Sequence, residues 1–374
     1  MKRLVCFALL LILCVFPLNV SAVSTSAKSA ILICGDSGEV IFEQNADERL
    51  SMASTTKIMT GLLLCENGNL EKTVIATDEM LRVEGSSMGL LPGDTVSLHD
   101  LLYGLMLASG NDAANVIAYT LGKTPKGFVK MMNEKAKLLG LNNTNFVTPS
   151  GLDSEEHYTT ARDMAKLTAY ALQNETFSEV VATSAATLNY GNPPYKRTLT
   201  NHNKLLKIFD GAIGVKTGFT KKSGRCLVSA ARRDGKLVIA VTLNDPNDWE
   251  DHKSLLEYGI SAVKSHEIKT DKDVFDVPVI SGDSDTLELE ITPFTVNTVG
   301  NGNFSYEIHL PKFVYAPVKT GDVIGEVVYK NNNVEIKRAA ICSENSIGVV
   351  VDKPNFLKQV AENVKYIFRN IWVK

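Results

Sequence analysis

Hydrophobic positions in the first three quarters of the chain alternate between strand-like runs and helical spacing. Residues 29–34 and 40–43 are short apolar runs around the turn residues Gly35-Asp36-Ser37-Gly38, which predicts a β-hairpin. From Ser54 onward, apolar side chains recur at helical spacing, which predicts a helix over residues 54–65 with Ser54 as its N-cap or as a residue of its first turn. Later runs predict further helices and strands: helices over 98–108, 112–121, 127–139, 161–171 and 249–263, and strands over 214–220, 225–231 and 237–243.

This succession of elements predicts an α+β domain. A hairpin, several helices, three consecutive strands and a final helix are typical of an antiparallel sheet that is covered by helices. In such an arrangement the first and last segments of the domain pack together. We therefore assign residues 23–265 to one domain.

The hydrophobic pattern changes after His266. Residues 287–291 alternate strictly between apolar and acidic side chains, and residues 306–310 also alternate. Turns rich in glycine and asparagine separate these runs. We therefore predict a small all-β domain, with the pattern of a β-sandwich, over residues 266–352.

The first residues have the pattern of a secretory signal peptide. A basic head, Lys2-Arg3, precedes an unbroken apolar run over residues 4–16, and Val20-Ser21-Ala22 offers small residues for cleavage. The apolar run is short for a membrane-spanning helix, although an uncleaved anchor or a buried N-terminal helix is the alternative. We therefore expect residues 1–22 to be removed and the protein to act outside the cytoplasm, at the cell membrane or the cell wall.

Residues 353–374 predict a basic amphipathic helix. Apolar side chains recur at helical spacing, and cationic side chains occupy the remaining face: Phe356, Val360, Val364, Ile367 and Ile371 on one side, and Lys358, Lys365, Arg369 and Lys374 on the other. Helices of this kind lie on membrane surfaces. We expect this helix to hold the protein against the outer face of the cytoplasmic membrane, and packing on its own domain is the alternative.

The composition is that of an ordinary globular protein, with 374 residues of which 44% are hydrophobic and 22% are charged. The formal net charge of −3 argues against nucleic acid as a partner, because phosphate binding needs a basic surface. The six histidines are scattered and no His-Glu-x-x-His segment is present. We therefore predict neither a metal nor an organic cofactor.

Outside the leader, the cysteines are far apart in the sequence: Cys34, Cys65, Cys226 and Cys342. No Cys-x-x-Cys spacing is present, so neither a zinc knuckle nor a redox pair is indicated. Each cysteine lies in an apolar context. We therefore expect free buried thiols, although export leaves disulfide formation open.

Three short motifs carry candidate chemistry: Ser54-Thr55-Thr56-Lys57, Ser109-Gly110-Asn111 and Lys216-Thr217-Gly218. No single motif is specific, because Ser261-Ala262-Val263-Lys264 also fits the first pattern and a copy of each other pattern lies in the predicted all-β domain. Only in the first set do the motifs follow one another in the order Ser/Lys, Ser/Asn, Lys/Thr/Gly, and only there does each motif lie on a predicted element of a suitable type. The ordered set therefore indicates one active site.

The first motif predicts a serine nucleophile with a lysine base. A serine hydroxyl is a weak nucleophile without an adjacent base. Residues three apart share one face of a helix, so Lys57 can bring its amine beside Ser54. A lysine has an ordinary pKa of about 10.4, so Lys57 must be desolvated or lie near another cation, for which Lys216 is the candidate. Ser54 at a helix N-terminus would also offer a free N–H to an oxyanion.

The second motif predicts groups that move a proton and hold the base. Ser109 can relay a proton toward a leaving amine, while Asn111 can hold both Lys57 and a substrate amide. The motif falls between two helical runs, and Gly110 permits a tight turn there.

The third motif predicts a site for a terminal carboxylate. Lys216 and Thr217 offer a cation and a hydroxyl at the end of a predicted strand. Gly218 lets a substrate backbone approach the edge of that strand.

These motifs resemble those of the serine penicillin-binding proteins and the serine β-lactamases. The resemblance is closest to the low-molecular-mass D-alanyl-D-alanine carboxypeptidases of the peptidase S11 type, whose second motif ends in Gly-Asn, as here. Four segments carry it: Ala53–Thr60, Gly85–Met88, Leu107–Ala114 and His157–Ala161. It extends over about residues 25–370 and implies a β-lactamase/transpeptidase-like sheet with a helical subdomain, followed by a small all-β domain.

The resemblance also implies roles for individual residues. They are Ser54 as acyl-enzyme nucleophile, Lys57 as general base, Ser109 and Asn111 as the rest of the proton relay, Lys216 and Thr217 as the carboxylate site, and the N–H groups of Ser54 and Phe219 as the oxyanion hole. Some family members have histidine where this chain has Phe219, so only a backbone role is carried over there. His157 either shapes the site or is a structural histidine.

The implied substrate is a peptidoglycan stem peptide that ends in D-Ala-D-Ala, and β-lactams would acylate the same serine. A β-lactamase would share the acylation machinery, but no Glu-x-x-Leu-Asn segment is present to position a deacylating water. A β-lactam-binding sensor that acylates without turnover stays open, and release of free D-alanine would discriminate it. A Ser-His-Asp hydrolase is excluded because Gly85-Ser86-Ser87-Met88-Gly89 follows a helix-like segment, Asp78–Val83, rather than a strand.

Overall fold

The computed structural model describes residues 23–67, 69–270, 274–291 and 293–350, together with Ala361, Val364 and Lys365. The chain divides into two compact units. One comprises the residues up to Ser265 with Asn297–Gly300, and the other comprises His266–Val296 with the residues from Asn301 onward. The predicted signal peptide lies outside the described residues, as does most of the predicted terminal helix.

The described part of the first unit contains both strands and helices, whereas the second unit is built of strands. In chain order the strands are β1 (Ser29–Cys34), β2 (Val40–Gln44), β3 (Thr73–Ile75), β4 (Thr95–Ser97), β5 (Ala185–Gly191), β6 (Pro194–Thr200), β7 (Ala212–Thr220), β8 (Gly224–Arg233), β9 (Lys236–Leu243), β10 (Val263–Ile268), β11 (Val274–Ile280), β12 (Thr286–Glu290), β13 (Phe294–Val299), β14 (Phe304–His309), β15 (Val314–Tyr315), β16 (Val323–Asn331) and β17 (Val334–Cys342). The helices are α1 (Lys57–Asn67), α2 (Leu98–Met106), α3 (Asn111–Gly122), α4 (Pro125–Leu138), α5 (Ala161–Ala171), α6 (Glu175–Ala182), α7 (Leu205–Ile208) and α8 (Asp248–Ala262).

The central sheet of the first unit is antiparallel and has the strand order β2-β1-β9-β8-β7. Side chains of β9 alternate between its two faces, as a strand requires. Ile239 and Val241 pack with the helices α1 to α6, while Val238 and Ala240 pack under α8. The predicted antiparallel sheet covered by helices is therefore confirmed, and its first and last strands in the sequence, β1 and β9, are neighbours.

Helix α1 lies in the helical layer, and residues 57–64 are all buried, including Ile58, Leu62 and Leu64. Burial of each such side chain stabilises the fold by about 1.5–3 kcal/mol. This packing offsets the cost of burying the amine of Lys57, the first residue of the helix. Ser54, predicted to be the N-cap or a first-turn residue of this helix, lies in a 3₁₀ turn, Ala53–Thr56, that leads into α1.

A second sheet, of order β3-β4-β5-β6, escaped prediction from the sequence. Most side chains of the β5–β6 hairpin are exposed or only half-buried, so it has little apolar alternation to reveal it. The predicted helix-like segment Asp78–Val83 is wrong, since the structure has only a turn there.

The second unit has its own hydrophobic core and no described helix longer than the few terminal residues. Six of its described strands form two three-stranded sheets, β12-β11-β15 and β14-β16-β17. Leu287 and Leu289 are buried while their neighbours along β12 are exposed, as the alternating pattern predicted. The α+β fold with a following all-β domain is therefore confirmed.

The four described cysteines are all free thiols. Cys34 and Cys226 are buried, as expected, but Cys342 is exposed, so the expectation of a buried thiol is wrong there. Cys342 ends the edge strand β17, where alternate side chains face outward.

None of the helices in the described ranges is both long and apolar enough to cross a membrane. In the segment predicted to be an amphipathic membrane helix, Ala361, Val364 and Lys365 are helical, and the other residues lie outside the described part of the chain.

Candidate active site

The turn that carries Ser54 is held in a strained conformation. Ala53, immediately before Ser54, has a left-handed backbone with φ 47° although it is not glycine. The side chain of Thr55 donates a 2.6 Å hydrogen bond to Met52 O, and the side chain of Thr56 donates a 2.8 Å hydrogen bond to Ala53 O. These local bonds fix the turn and thereby the direction of the Ser54 side chain.

Two glycines allow neighbouring segments to pack directly against this turn. A Cβ added at Gly218 would lie 3.1 Å from Ser54 N, and one added at Gly151 would lie 1.9 Å from Ala53 O. Gly218 therefore has a role beyond the predicted one, because it brings strand β7 beside the N–H of Ser54. Gly151 was not singled out by the sequence.

Lys57 is fully buried beneath Ser54, and its amine has three neighbours. Nζ lies 2.9 Å from Ser54 Oγ, 2.7 Å from Asn111 Oδ1 and 2.7 Å from Ser150 O. The side-chain amide of Asn111 also donates a 2.6 Å hydrogen bond from Nδ2 to Glu84 O, which fixes Oδ1 toward the lysine. The structure therefore brings the first two motifs together. The sequence did not predict the contact of Lys57 with the carbonyl of Ser150, because a backbone oxygen leaves no pattern in the sequence.

Burial holds the pKa of Lys57 well below its ordinary value, and the nearby cation of Lys216 lowers it further. The carboxylate of Asp112 acts in the opposite direction. A neutral lysine has two N–H groups and one lone pair. Asn111 Oδ1 and Ser150 O can only accept hydrogen bonds, so they take both N–H groups. The lone pair then faces the hydroxyl of Ser54 and can accept its proton.

Lys216 is also buried, on strand β7. Its Nζ donates a 2.9 Å hydrogen bond to Thr217 O. Burial lowers the pKa of Lys216 to about 7. The predicted influence of Lys216 on Lys57 is present, but it is secondary to the burial of Lys57 itself.

The second motif lies in the turn between α2 and α3. Ser109 adopts the left-handed conformation there, with φ 57°, whereas Gly110 does not. Gly110 was predicted to supply conformational freedom, and that reason is wrong. It is instead needed for space, because a Cβ at Gly110 would lie 2.6 Å from Asp112 Oδ1 and 3.1 Å from Met88 N.

Asp112 ties the loop of residues 84–90 to the start of α3. Its buried carboxylate accepts hydrogen bonds from the side chain of Ser87 and from backbone N–H groups: Met88 N at 3.0 Å, Gly89 N at 3.1 Å and Leu90 N at 3.1 Å. In addition, Asn111 N donates a 2.7 Å hydrogen bond to Ser86 O. Asn111 of the second motif thus positions Lys57, and Asp112, the residue after the motif, positions this loop.

The motif residues open onto a cleft of about 310 Å³. Its lining residues are Ser54, Ser86, Ser109, His202, Thr217, Gly218, Phe219, Arg225, Asp248 and Trp249. Lys57, Asn111 and Lys216 lie beneath this lining, and Phe219 is two-thirds exposed at the rim. Sequence reasoning missed His202, Arg225, Asp248 and Trp249, since no motif surrounds them.

His157 lies outside the lining of this cleft and is buried. Val147 N donates a 2.9 Å hydrogen bond to Nδ1, so the ring proton is on Nε2, which lies 2.8 Å from Thr56 Oγ1. Burial lowers the pKa of His157 to about 4. The imidazole is therefore neutral at ordinary pH, and it acts on the nucleophile turn through Thr56.

The sequence of this chain is similar to those of known proteins. The family model of peptidase S11, described as D-alanyl-D-alanine carboxypeptidase, matches residues 17–247. The D-alanyl-D-alanine carboxypeptidase DacF of Bacillus subtilis is 32% identical over 342 residues, which is 87% of this chain and 87% of that protein.

Solved structures agree with the sequence match. The DD-transpeptidase of Streptomyces K15 superimposes with a TM-score of 0.61 at 35% identity and covers 64% of this chain and 98% of its own. Penicillin-binding protein 5 of Haemophilus influenzae gives a TM-score of 0.63 at 28% identity, over 88% of this chain and 100% of its own. The predicted resemblance is confirmed, and the chain belongs to the peptidase S11 family of D-alanyl-D-alanine carboxypeptidases.

Proposed function

We propose that this protein removes the terminal D-alanine from peptidoglycan stem peptides through an acyl-enzyme at Ser54. The observation that carries the proposal is the contact of Lys57 Nζ with Ser54 Oγ at 2.9 Å, combined with two other neighbours that can only accept hydrogen bonds. This combination aims the lysine lone pair at the serine hydroxyl. The family membership supplies the substrate class.

In the acylation step, Ser54 Oγ attacks the carbonyl of the penultimate D-alanine while its proton passes to Lys57 Nζ. The N–H groups of Ser54 and Phe219 stabilise the oxyanion, an assignment supported by the close packing of β7 on the Ser54 turn. The peptide C–N bond then breaks. The proton moves through Ser109 to the leaving nitrogen, and free D-alanine departs.

In the deacylation step, water replaces the departed amine. Lys57 takes a proton from the water, whose oxygen attacks the ester carbonyl, and the proton returns to Ser54 Oγ as the ester bond breaks. The products are the shortened peptide and the free serine. A peptide amine in place of water would give transpeptidation, which is the reaction named for the Streptomyces K15 relative.

β-Lactams acylate the same serine in this proposal and release it slowly. The β-lactamase alternative is not favoured by the matching family model, which is described as D-alanyl-D-alanine carboxypeptidase, or by relatives named as carboxypeptidase, endopeptidase or transpeptidase. The sensor alternative differs only in turnover. It predicts at most one equivalent of D-alanine released per protein molecule.

The location is also part of the proposal. The basic head and apolar run of residues 1–22 support export, and the spacing of apolar and cationic residues in 353–374 supports attachment to the outer face of the membrane. The stem peptides of peptidoglycan lie on that side. Cell fractionation of the full chain and of a chain truncated after residue 352 tests this attachment. We expect the full chain in the membrane fraction and the truncated chain in the soluble fraction.

Two measurements on the purified protein test the mechanism. The first is its intact mass after incubation with benzylpenicillin, and the second is the release of D-alanine from a peptide that ends in D-Ala-D-Ala. We expect one adduct on Ser54, many turnovers with the peptide, and loss of both in Ser54→Ala. Ser261→Ala is the matched control, because Ser261 begins the second Ser-x-x-Lys segment and should leave both unchanged. An adduct that persists in Ser54→Ala would contradict the assignment.

A further inference from the structure

The second unit exposes a cluster of apolar side chains at one end of the sheet β12-β11-β15. Strand β15 runs parallel to β11 and places Tyr315 beside Ile280. Both side chains face outward, and Tyr315 is 67% exposed, whereas Val279, the residue before Ile280, is buried in the core. The ring of Phe313, also exposed, lies 5.5 Å from the ring of Tyr315 in an edge-to-face contact. We call Ile280, Phe313 and Tyr315 the apolar patch.

The composition of the apolar patch suits the boundary between water and lipid. Single exposed hydrophobic residues are normal on a protein surface, whereas a contiguous group that includes two aromatic rings indicates a contact surface. A tyrosine has an apolar body and a polar tip, and such side chains are enriched where a membrane meets water. Lys312 precedes Phe313 and is exposed, so its amine can reach lipid phosphates while its apolar stem lies along the patch.

The chain leaves the second unit beside this patch. Val350 N donates a 3.0 Å hydrogen bond to Ser281 O, and Ser281 follows Ile280 directly. The basic amphipathic segment begins at residue 353, three positions after Val350, and three residues span at most about 11 Å. A surface that binds this segment therefore lies within reach of the apolar patch.

The terminal segment does not use its own apolar side chains to cover the second unit at Val364. By its spacing, Val364 belongs to the apolar face of the segment, and the structure describes it as helical. Its side chain is nevertheless exposed, as are Ala361 and Lys365. A helix that packed on the apolar patch would bury this face, so the exposure of Val364 favours a partner outside the chain for both apolar surfaces.

The opposite end of the same sheet face is acidic. Asp276 of β11 and Glu288 of β12 lie directly opposite each other, and both are exposed. Asp276 is four residues before Ile280, a distance of about 13 Å along the strand. Anionic headgroups repel the acidic end and accept the apolar end, so this face can meet a bilayer in only one orientation.

We propose that the apolar patch inserts into the headgroup region of the membrane that the terminal segment binds. The partner is a lipid bilayer surface, and the rings of Phe313 and Tyr315 provide most of the contact. This inference rests on the proposed attachment through residues 353–374 and adds a second contact to it. Two contacts would fix the orientation of the second unit on the membrane, which a single terminal segment does not.

The test measures binding of the protein, purified after export, to vesicles of phosphatidylglycerol and phosphatidylethanolamine by co-sedimentation. We expect Phe313→Ser combined with Tyr315→Ser to raise the dissociation constant about tenfold, because two rings no longer leave water for lipid. Replacement of both by tryptophan should keep the dissociation constant within about twofold of the unaltered value, since tryptophan also prefers the interface.

Val334→Ser is the matched control. Val334 is also 67% exposed in the second unit, but it begins β17, in the other sheet. Its replacement should leave the dissociation constant unchanged. The melting temperature and the rate of acylation by benzylpenicillin should be unchanged in all of these variants, because every substituted side chain is exposed.

Equal vesicle binding by the unaltered protein and the double serine variant would overturn the inference, while release by truncation after residue 352 would show that the terminal attachment is intact. Tighter binding by the double variant would also overturn it, since the patch would then hold the terminal segment. A change in oligomeric state with unchanged vesicle binding would identify a contact between copies instead. If the unaltered protein bound no vesicles, the attachment itself would fail together with this inference, whereas adduct formation at Ser54 is measured separately.

Discussion

The ring of His157 lies 2.8 Å from the hydroxyl of Thr56, which in turn donates a 2.8 Å hydrogen bond to the carbonyl of Ala53. Because Nδ1 of His157 already accepts from Val147 N, the proton on Nε2 must be the donor to Thr56. The chain of bonds ends one residue before the nucleophile, at the backbone with φ 47°. His157 thus supports the strained turn from outside the cleft.

The first prediction concerns this chain of bonds. Thr56→Val removes both bonds at Thr56 and should lower the acylation rate with benzylpenicillin by about tenfold or more, because the turn loses its support. His157→Gln keeps an amide donor and should retain more activity than His157→Phe.

The matched control for this prediction is Thr168→Val, which removes a similar buried hydroxyl bond, from Thr168 Oγ1 to Met164 O, inside helix α5. It should lower the melting temperature without lowering the acylation rate. His157→Gln should also leave the shape of the pH profile above pH 5 unchanged, because the pKa of His157 is about 4. A changed profile would show that His157 titrates during the reaction.

The second prediction concerns the pH dependence set by Lys57. Only the neutral amine can accept a proton, so acylation should rise with pH and reach its plateau below the range of an ordinary lysine, about pH 10.4. The methyl ester of benzylpenicillin is the appropriate reagent, because it has no carboxylate to respond to Lys216. A profile that rises only near pH 10 would contradict the lowered pKa of Lys57.

Asp112→Asn extends the same test. The negative charge of Asp112 raises the pKa of Lys57, so its removal should shift the midpoint of the ester profile to lower pH. The substitution also weakens the bonds to the loop of residues 84–90 and should cost about 1–3 kcal/mol of the free energy of unfolding. Asp100→Asn, on the first turn of α2, is the control that should leave the midpoint unchanged.

The third prediction concerns Lys216. Its pKa of about 7 means that the free enzyme loses this positive charge as the pH rises through 7. The preference for benzylpenicillin, which has a free carboxylate, over its methyl ester should therefore fall with rising pH. The ratio of the two rates cancels the contribution of Lys57, which both reagents need. A ratio independent of pH would show that Lys216 stays charged.

The fourth prediction concerns Gly151. Gly151→Ala places a Cβ 1.9 Å from Ala53 O on a backbone with φ 93°, so it should destabilise the protein strongly or prevent folding. Gly93 has a similar φ of 88° but open space around it. Gly93→Ala should therefore show the backbone strain alone, about 1–2 kcal/mol. Equal changes in melting temperature for the two variants would contradict the steric argument.

Local pattern accounts for much of what could be predicted from the sequence. Strands β1 and β9 of the central sheet carry nearly continuous apolar runs because both of their faces are buried, and α1 carries an apolar surface for the same reason. The β5–β6 hairpin could not be predicted in this way, because few of its side chains are buried. A weakly buried element leaves a weak periodic signal.

The three motifs identified the residues near Ser54 because each motif is short and local. The spacing of Ser54 and Lys57 determined that the two side chains share a face, and the structure refined this to a 3₁₀ turn that leads into a helix. The prediction that Gly110 is needed for its conformational freedom was wrong. That prediction relied on the general preference for glycine at left-handed positions in turns. Tertiary packing placed the strain at Ser109 instead and used Gly110 for close approach to Asp112.

The sequence by itself determined the family, the order of the motifs and the elements that carry them, because these depend on residues close together in the chain. Only the tertiary structure decided which groups surround the reacting atoms. The carbonyl of Ser150 reaches Lys57 across 93 positions, and Asp248 reaches Arg225 from a different element. Every residue has a carbonyl and charged residues are common. Their positions relative to Ser54 therefore follow from packing of the whole unit and not from any local pattern.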